Sequence, residues 1–158
     1  MLKLINTKII FCFKKRTGFT LIEMLVVVAV IGILSSILLT ALGPARDKAR
    51  DSRIIQEVNQ VRALAETLYN GTYAALESLP APVINNPSLK ALADDIALQG
   101  GELRIVKSSP PTSFAAYSKL NTKVGAEPNL LTNYYCVDSS GRSVFTTTEP
   151  DSYSGRCP

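Results

Sequence analysis

The chain has 158 residues, of which 46% are hydrophobic, and a formal net charge of +4. It contains no histidine, which excludes a histidine-based catalytic triad and imidazole metal ligands. Five of the 17 basic residues precede Gly18, and all 13 acidic residues follow it. Residues 19–158 therefore carry 12 basic and 13 acidic side chains, and the net positive charge of the chain does not predict nucleic-acid binding. The length predicts one membrane segment and one small domain.

A basic leader, residues 1–18, begins the chain. Its short apolar patch is followed by Lys14, Lys15 and Arg16, whereas the basic residues of a standard secretory signal come before the apolar region. The leader therefore differs from a standard secretory signal, and we expect the hydrophobic segment behind it to be retained.

Residues 24–45, from Met24 to Ala45, form an apolar run without a single charge. About 20 such residues span a bilayer, so the run predicts a transmembrane helix. The basic leader predicts a cytoplasmic N-terminus and a C-terminal part on the other side of the membrane. Glu23 lies directly before the run, and a carboxylate in apolar surroundings needs a partner charge.

The residues that join leader and helix read G-F-T-L-I-E over positions 18–23. This arrangement resembles the class III signal of type IV prepilins and type II secretion pseudopilins. The resemblance implies that a prepilin peptidase cleaves between Gly18 and Phe19 and N-methylates Phe19, and that Glu23 serves subunit assembly. The alternative, an ordinary single-span anchor, leaves the Gly-Phe step and the position of Glu23 unexplained.

Cleavage after Gly18 would give Phe19 a positively charged amine, four residues before Glu23. Residues i and i+4 face each other in a helix, so this amine is predicted to pair with Glu23 of its own chain or of a neighbouring subunit. A buried ion pair fixes register more than it adds stability. Pairing between subunits would therefore set their axial stagger.

Residues 19–70 are predicted to form one helix. Its candidate kink positions are Gly32, Gly43 and Pro44, because proline lacks a backbone donor and crowds the carbonyl four residues before it. A continuous, slightly bent helix is the alternative. Asn70 and Gly71 are predicted to end the helix.

The second half of this helix is amphipathic, and charged residues, Asp51 and Glu57 among them, are assigned to its polar face. We expect i,i+4 ion pairs of Arg53 with Glu57 and of Arg62 with Glu66. The apolar stripe recurs every three or four residues. It consists of Ile54, Val58, Val61, Ala65 and Leu68.

Beyond the helix, prolines that include Pro82 mark a loop, and Ser88 is the predicted N-cap of a short helix over residues 89–98. Strands are predicted over residues 102–107, 114–120, 134–138 and 142–148, the last two as a hairpin. The predicted fold class is α+β, a helix spine packed against a small antiparallel sheet, which resembles the pilin layout. The predicted domains are the cleaved leader 1–18, a transmembrane and filament-core helix 19–45, and an extracytoplasmic globular domain 46–158.

Cys136 and Cys157 remain once Cys12 is removed with the leader, and an even pair outside the cytoplasm predicts one disulfide. Free thiols are the alternative. No cofactor is expected, and the two sulfurs lack metal-site spacing. A calcium site that includes Asp138 and Asp151, of the kind that some pseudopilins carry, stays open, although EF-hand spacing is absent.

The favoured function is that of a structural, non-enzymatic subunit of a type IV pilus or pilus-like filament. Such a subunit is held in the lipid of the bacterial inner membrane as a single-pass protein and then assembles with other copies on a pilus or secretion platform. The alternatives are a type II secretion pseudopilin and a minor or competence pilin that binds DNA. DNA binding needs an exposed basic or aromatic strip. Its scattered candidates are Lys119, Lys123, Arg142 and Arg156.

Overall fold

A computed structural model describes residues 18–81, 83–126, 128–150 and 154–158. The predicted leader up to Thr17 and the predicted loop residue Pro82 lie outside the described residues. The chain divides into two compact units, Met1–Thr40 and Ala41–Pro158. The elements are helix α1 (Leu21–Thr67), helix α2 (Pro87–Leu98) and strands β1 (Leu103–Lys107), β2 (Phe114–Lys119), β3 (Tyr134–Asp138) and β4 (Ser143–Thr146).

The four strands form one antiparallel sheet in the order β1-β2-β3-β4. Tyr117 of β2 pairs with Cys136 of β3, which pairs in turn with Val144 of β4. Because side chains alternate along a strand, these three residues share one face of the sheet and the other face turns to the main core. The α+β prediction is confirmed.

The main core of Ala41–Pro158 lies between the second half of α1, helix α2 and the sheet. Four residues of the predicted stripe are fully buried, and Leu68 is partly buried. Burial of an aliphatic side chain of this size contributes about 1.5–3 kcal/mol. The stripe packs with Leu89 and Ile96 of α2 and with Ile105, Phe114 and Val137 of the sheet.

Helix α1 is shorter at both ends than the predicted helix over residues 19–70. It begins at Leu21 and ends at Thr67. At its C-terminal end the N–H of Leu68 donates to the carbonyls of both Leu64 and Ala65, at 3.1 and 3.2 Å. Such shared hydrogen bonds tighten a last helical turn. Gly71, with φ of 95°, lies in the turn that follows and not at the helix end.

The predicted N-cap of α2 was wrong: Asn86 caps the helix, and Ser88 lies inside it. The Asn86 side-chain oxygen accepts hydrogen bonds from the N–H groups of Ser88 and Leu89, at 3.0 and 3.1 Å. Pro87 occupies the first helical position, where its missing N–H costs nothing and its fixed φ suits a helix.

One of the two expected ion pairs forms. Arg53 lies 3.1 Å from Glu57, as predicted. Arg62 instead donates to the Arg142 carbonyl and, at 3.1 Å, to the Ser143 hydroxyl, so it ties α1 to the β3–β4 turn. Glu66 accepts a hydrogen bond from the Tyr73 hydroxyl at 3.0 Å. The i,i+4 prediction for Arg62 and Glu66 was wrong because both side chains have tertiary partners.

Candidate processing and assembly site

The N-terminal half of α1 is exposed along its whole length. Every residue from Leu21 to Ala45 is solvent-exposed. Among the described residues α1 alone is long and apolar enough to cross a membrane, with a mean hydropathy of 2.8 over a stretch of which 0% is buried. A helix that is apolar on all sides needs apolar surroundings, which lipid or other helices can supply.

Thr20 and Glu23 close the N-terminal end of α1 with reciprocal hydrogen bonds. One oxygen of the Glu23 carboxylate accepts from the Thr20 N–H and from the Thr20 hydroxyl, both at 2.8 Å. The Glu23 N–H donates to the Thr20 hydroxyl oxygen at 3.3 Å. This is a capping box, which satisfies backbone donors at the helix start and turns the carboxylate back toward the N-terminus.

Phe19 precedes the helix, so the i,i+4 geometry predicted for Phe19 and Glu23 does not hold in this chain. The Glu23 carboxylate is bonded to the backbone of Thr20, the residue next to Phe19. A pairing of the Phe19 amine with Glu23 stays a prediction. The T-x-x-E spacing before an apolar run signals a capping box, and our sequence interpretation did not use it.

The bond between Gly18 and Phe19 is accessible. A Cβ added to Gly18 would meet no atom of the described residues within 4 Å. Phe19 is 78% exposed. Gly18 and Phe19 are therefore both exposed among the described residues, and cleavage between them stays a prediction.

The three candidate kink positions all lie within α1, which is assigned as helix from Leu21 to Thr67 with Pro44 inside it. The Thr40 hydroxyl donates to the carbonyl of Ile37 at 2.9 Å, one turn before the proline. A kink at Gly32, Gly43 or Pro44 stays a prediction.

Cys136 and Cys157 are joined by a disulfide with sulfur atoms 2.07 Å apart. The bond ties the C-terminal segment to β3, and Asp138 on the same strand accepts a hydrogen bond from the Cys157 N–H at 3.1 Å. The same carboxylate also accepts from the N–H groups of Ser140 and Arg142, at 2.9 and 3.1 Å, and from the Ser140 hydroxyl.

Burial raises the pKa of the Asp138 carboxyl, but the hydrogen bonds from Ser140, Cys157 and Arg142 together outweigh it and hold that pKa below its ordinary value. Both oxygens are occupied by donors, with which a cation would have to compete. Asp151, the other predicted calcium ligand, lies outside the described residues. Within the described ranges no three His, Cys, Asp or Glu side chains are grouped as a metal site would require.

The four basic DNA-binding candidates lie on four different segments. Lys119 ends β2 and lies 3.9 Å from Glu102. Lys123 is in the β2–β3 loop, Arg142 in the β3–β4 turn and Arg156 in the C-terminal segment. A DNA-binding role stays a prediction.

Comparison with known families bears on the N-terminal site. Residues 13–39 match the family model described as the prokaryotic N-terminal methylation motif. The chain carries a class III prepilin signal. No curated protein and no solved structure matches the chain.

The motif covers Gly18, Phe19 and Glu23 and confirms the resemblance to type IV pilins and pseudopilins over this part of the chain. It supports a pilin-like or pseudopilin subunit, which belongs to a class that is normally structural. It also implies processing by a prepilin peptidase and assembly with other pilins. The apolar half of α1 fits a membrane-anchored protein of this kind.

Proposed function

We propose that the chain is a structural subunit of a type IV pilus or pilus-like filament. A prepilin peptidase cleaves the chain between Gly18 and Phe19, which removes the leader, and methylates the new amine of Phe19. The apolar half of α1 then anchors the subunit in the inner membrane until the assembly platform extracts it. In the filament the same residues pack against the α1 helices of other copies.

The observation that supports this proposal is a methylation motif over residues 13–39 that overlaps the start of α1, whose apolar stretch is 0% buried. Lipid tails and neighbouring apolar helices are similar surroundings for its side chains, whereas water is not. The helix can therefore pass from one to the other at little cost in hydrophobic free energy. A pilin subunit has to make this transfer.

Glu23 sets the register between neighbouring subunits in the filament. The capping box supplies hydrogen bonds to the carboxylate from Thr20 but no positive charge. The amine of Phe19 on an adjacent subunit supplies that charge, and a charge pair in apolar surroundings fixes relative position more than it adds stability. Neighbouring helices therefore stop at the stagger that joins the two groups.

The test is mass spectrometry of the protein isolated from cells. We expect a chain that begins at Phe19 and carries one methyl group on its amine. A Gly18→Val variant, in which a branched side chain occupies the cleavage position, is the control and should keep its leader. A wild-type chain that still begins at Met1 would refute the proposal.

A second measurement distinguishes a pilus subunit from a type II secretion pseudopilin. Surface filaments sheared from cells should contain this chain if it is a pilus subunit. Normal surface filaments without the chain, together with a loss of enzyme secretion in a deletion strain, would assign it to the secretion system.

A further inference from the structure

Four of the large exposed apolar side chains of the unit Ala41–Pro158 lie on two segments, the end of α2 and the β2–β3 loop. Leu98, at the last turn of α2, is 79% exposed, and Leu131, in the β2–β3 loop, is 51% exposed. Val124 and Leu130 of the same loop are 46% and 36% exposed. An exposed apolar cluster of this kind marks a surface that contacts a partner or a membrane.

Asp51 holds both segments against α1. Its carboxylate accepts hydrogen bonds from the backbone N–H groups of Asn121 and Thr122, at 2.6 and 2.9 Å. The Asn121 side-chain amide donates to Asp51 at 2.9 Å and to the Gln99 carbonyl at the end of α2 at 3.0 Å. The start of the loop and the end of α2 are therefore fixed beside the first buried residue of α1.

The loop presents its apolar residues as an ordered pair. Val124 and Leu131 form an isolated antiparallel bridge, in which the two N–H groups donate to the opposite carbonyls at 3.0 and 2.8 Å. Residues directly opposite in such a bridge project their side chains to the same side. Val124 and Leu131 therefore form one small apolar surface, and Leu130 directly precedes Leu131 in the chain.

The position of Asp51 along α1 indicates what this surface meets. Asp51 lies six residues beyond Ala45, the end of the predicted span, in the same helix and the same unit. At 1.5 Å per residue this is about 9 Å along the helix axis. The polar layer of a bilayer extends about 5–8 Å beyond the hydrocarbon core on each side, so Asp51 lies about 1–4 Å outside that layer and the loop that it holds lies close to it.

The charges near this end suit a phospholipid surface. On α1, between the predicted span and Asp51, three basic residues (Arg46, Lys48 and Arg50) outnumber the one acid, Asp47. In the loop, Lys123 directly precedes Val124, and Glu127 is the one acid. Lysine and arginine near a membrane surface attract lipid phosphates and bury their aliphatic stems beside the acyl chains. Apolar tips flanked by basic residues are typical of segments that lie in the interface.

We propose that the β2–β3 loop and the C-terminal end of α2 rest on the surface of the membrane that anchors α1. Val124, Leu130 and Leu131 enter the interfacial layer, and Lys123 lies among the phosphates. This inference rests on the membrane-held state in the proposed function. The contact fixes the globular unit on the bilayer and is released when the subunit is extracted.

The test uses the full chain with Cys12→Ser, reconstituted in vesicles of phosphatidylethanolamine and phosphatidylglycerol. An environment-sensitive fluorophore is attached to Leu131→Cys, without reductant so that the disulfide is kept. The control label is on Arg142→Cys, whose backbone contacts Arg62, about 16 Å further along α1 from Asp51. We expect blue-shifted emission and quenching by spin-labelled lipids at position 131, and emission typical of water at position 142.

The outcomes separate this inference from the proposed function. An alkali-resistant, inserted chain whose label at position 131 is as solvated as the control overturns the inference alone. A label that is shielded only in assembled filaments also overturns it and assigns the surface to a second copy. A chain that never inserts refutes the proposed function, and the inference with it.

A variant without a label gives an independent reading. Leu130→Ser combined with Leu131→Ser should speed up trypsin cleavage after Lys123 in vesicles, because the loop leaves the bilayer. Unfolding midpoints check that the variant remains folded. A cleavage rate equal to that of the wild type would overturn the inference.

Discussion

The two halves of α1 share one helix but differ in what surrounds them. From Leu21 to Ala45 no side chain is buried, whereas the stretch from Asp51 to Ala65 contributes six buried residues. The first half is apolar on every side and the second only along a stripe. A helix with one apolar stripe completes its own core, whereas a helix without a polar face depends on other molecules. The second half therefore stabilises the fold, and the first half is the part to which the proposed function assigns assembly.

Each half also carries an acidic residue, Glu23 in the first and Asp51 in the second, and the two differ in their hydrogen-bond partners. Within the part of the chain that the structure describes, Glu23 accepts hydrogen bonds from Thr20, in its own helical turn, and forms no ion pair. Asp51 instead accepts hydrogen bonds from the main chain and side chains of Asn121 and Thr122. The charge of Asp51 is thus used inside the fold.

The largest expected effect is on assembly, from Glu23→Val. We expect filaments to disappear, because the variant has no charge to pair with the amine of Phe19. The denaturant-unfolding midpoint of the solubilised chain should not change. Sheared filament yield and unfolding curves measure the two properties.

Glu23→Gln is the matched control, because glutamine at the third helical position can still close the capping box but carries no charge. It should also fail to assemble. Normal filaments from this variant would show that the cap, and not the charge, is what assembly requires.

Next in size is Ile54→Ala, in the buried half. Truncation of a fully buried isoleucine should cost about 2–5 kcal/mol of unfolding free energy, since it removes apolar contacts and leaves a cavity. Processing at Phe19 should be unaffected in the fraction that folds. Denaturant unfolding of the detergent-solubilised chain measures the loss.

Ile37→Ala is the corresponding change in the exposed half, where Ile37 is 61% exposed. Its unfolding free energy should stay within about 0.5 kcal/mol of the wild type, as for most surface substitutions. Equal losses from Ile37→Ala and Ile54→Ala would remove the distinction between the two halves.

Asp51→Ala should have a smaller effect, which depends on pH. Burial raises the pKa of the Asp51 carboxyl, but hydrogen bonds from Thr122 and Asn121 outweigh it and hold that pKa below its ordinary value. At neutral pH the variant leaves the N–H groups of Asn121 and Thr122 without their acceptor, at a cost of about 1–3 kcal/mol.

The sign of the pH dependence follows from the lowered pKa. The contribution of Asp51 is fully present above its ordinary pKa of about 3.9 and is lost as the pH falls through the lower value in the folded state. Unfolding curves of wild type and variant should therefore converge in acid. A difference that is constant with pH would show that the ionised carboxylate is not its source.

The sequence predicted the core of α1 well because helical periodicity is a local signal. Ile54, Val58, Val61 and Ala65 were found in this way, and turn residues located the strands. Asp51 was misassigned to the polar face, although it lies three residues before Ile54 and so falls on the apolar stripe. Its partners Asn121 and Thr122 are 70 and 71 residues away in sequence, and no local pattern indicates them.

Glu57 was misassigned for a related reason, since it is only 6% exposed. Its partner Arg53 also lies 2.9 Å from Asp95 of α2, so the predicted surface pair is part of a contact between two helices. The predicted cleavage site and the predicted role of Glu23 both come from a contiguous motif. The capping box was missed because the function of Glu23 was interpreted without its local hydrogen bonds.

The smallest effect that we predict concerns the cap of α2. Asn86→Ala removes the side-chain oxygen that accepts from the N–H groups of Ser88 and Leu89, and loss of such a cap costs about 0.5–2 kcal/mol. Ser88→Ala is the control, because Ser88 contributes its backbone N–H to the cap and alanine keeps that group. Unfolding midpoints should therefore fall for Asn86→Ala alone. Filament yield should be unchanged in both variants, because α2 belongs to the globular unit Ala41–Pro158 and not to the apolar half of α1.

A loss of stability from Ser88→Ala equal to that from Asn86→Ala would identify Ser88 as the cap and contradict the observed helix start.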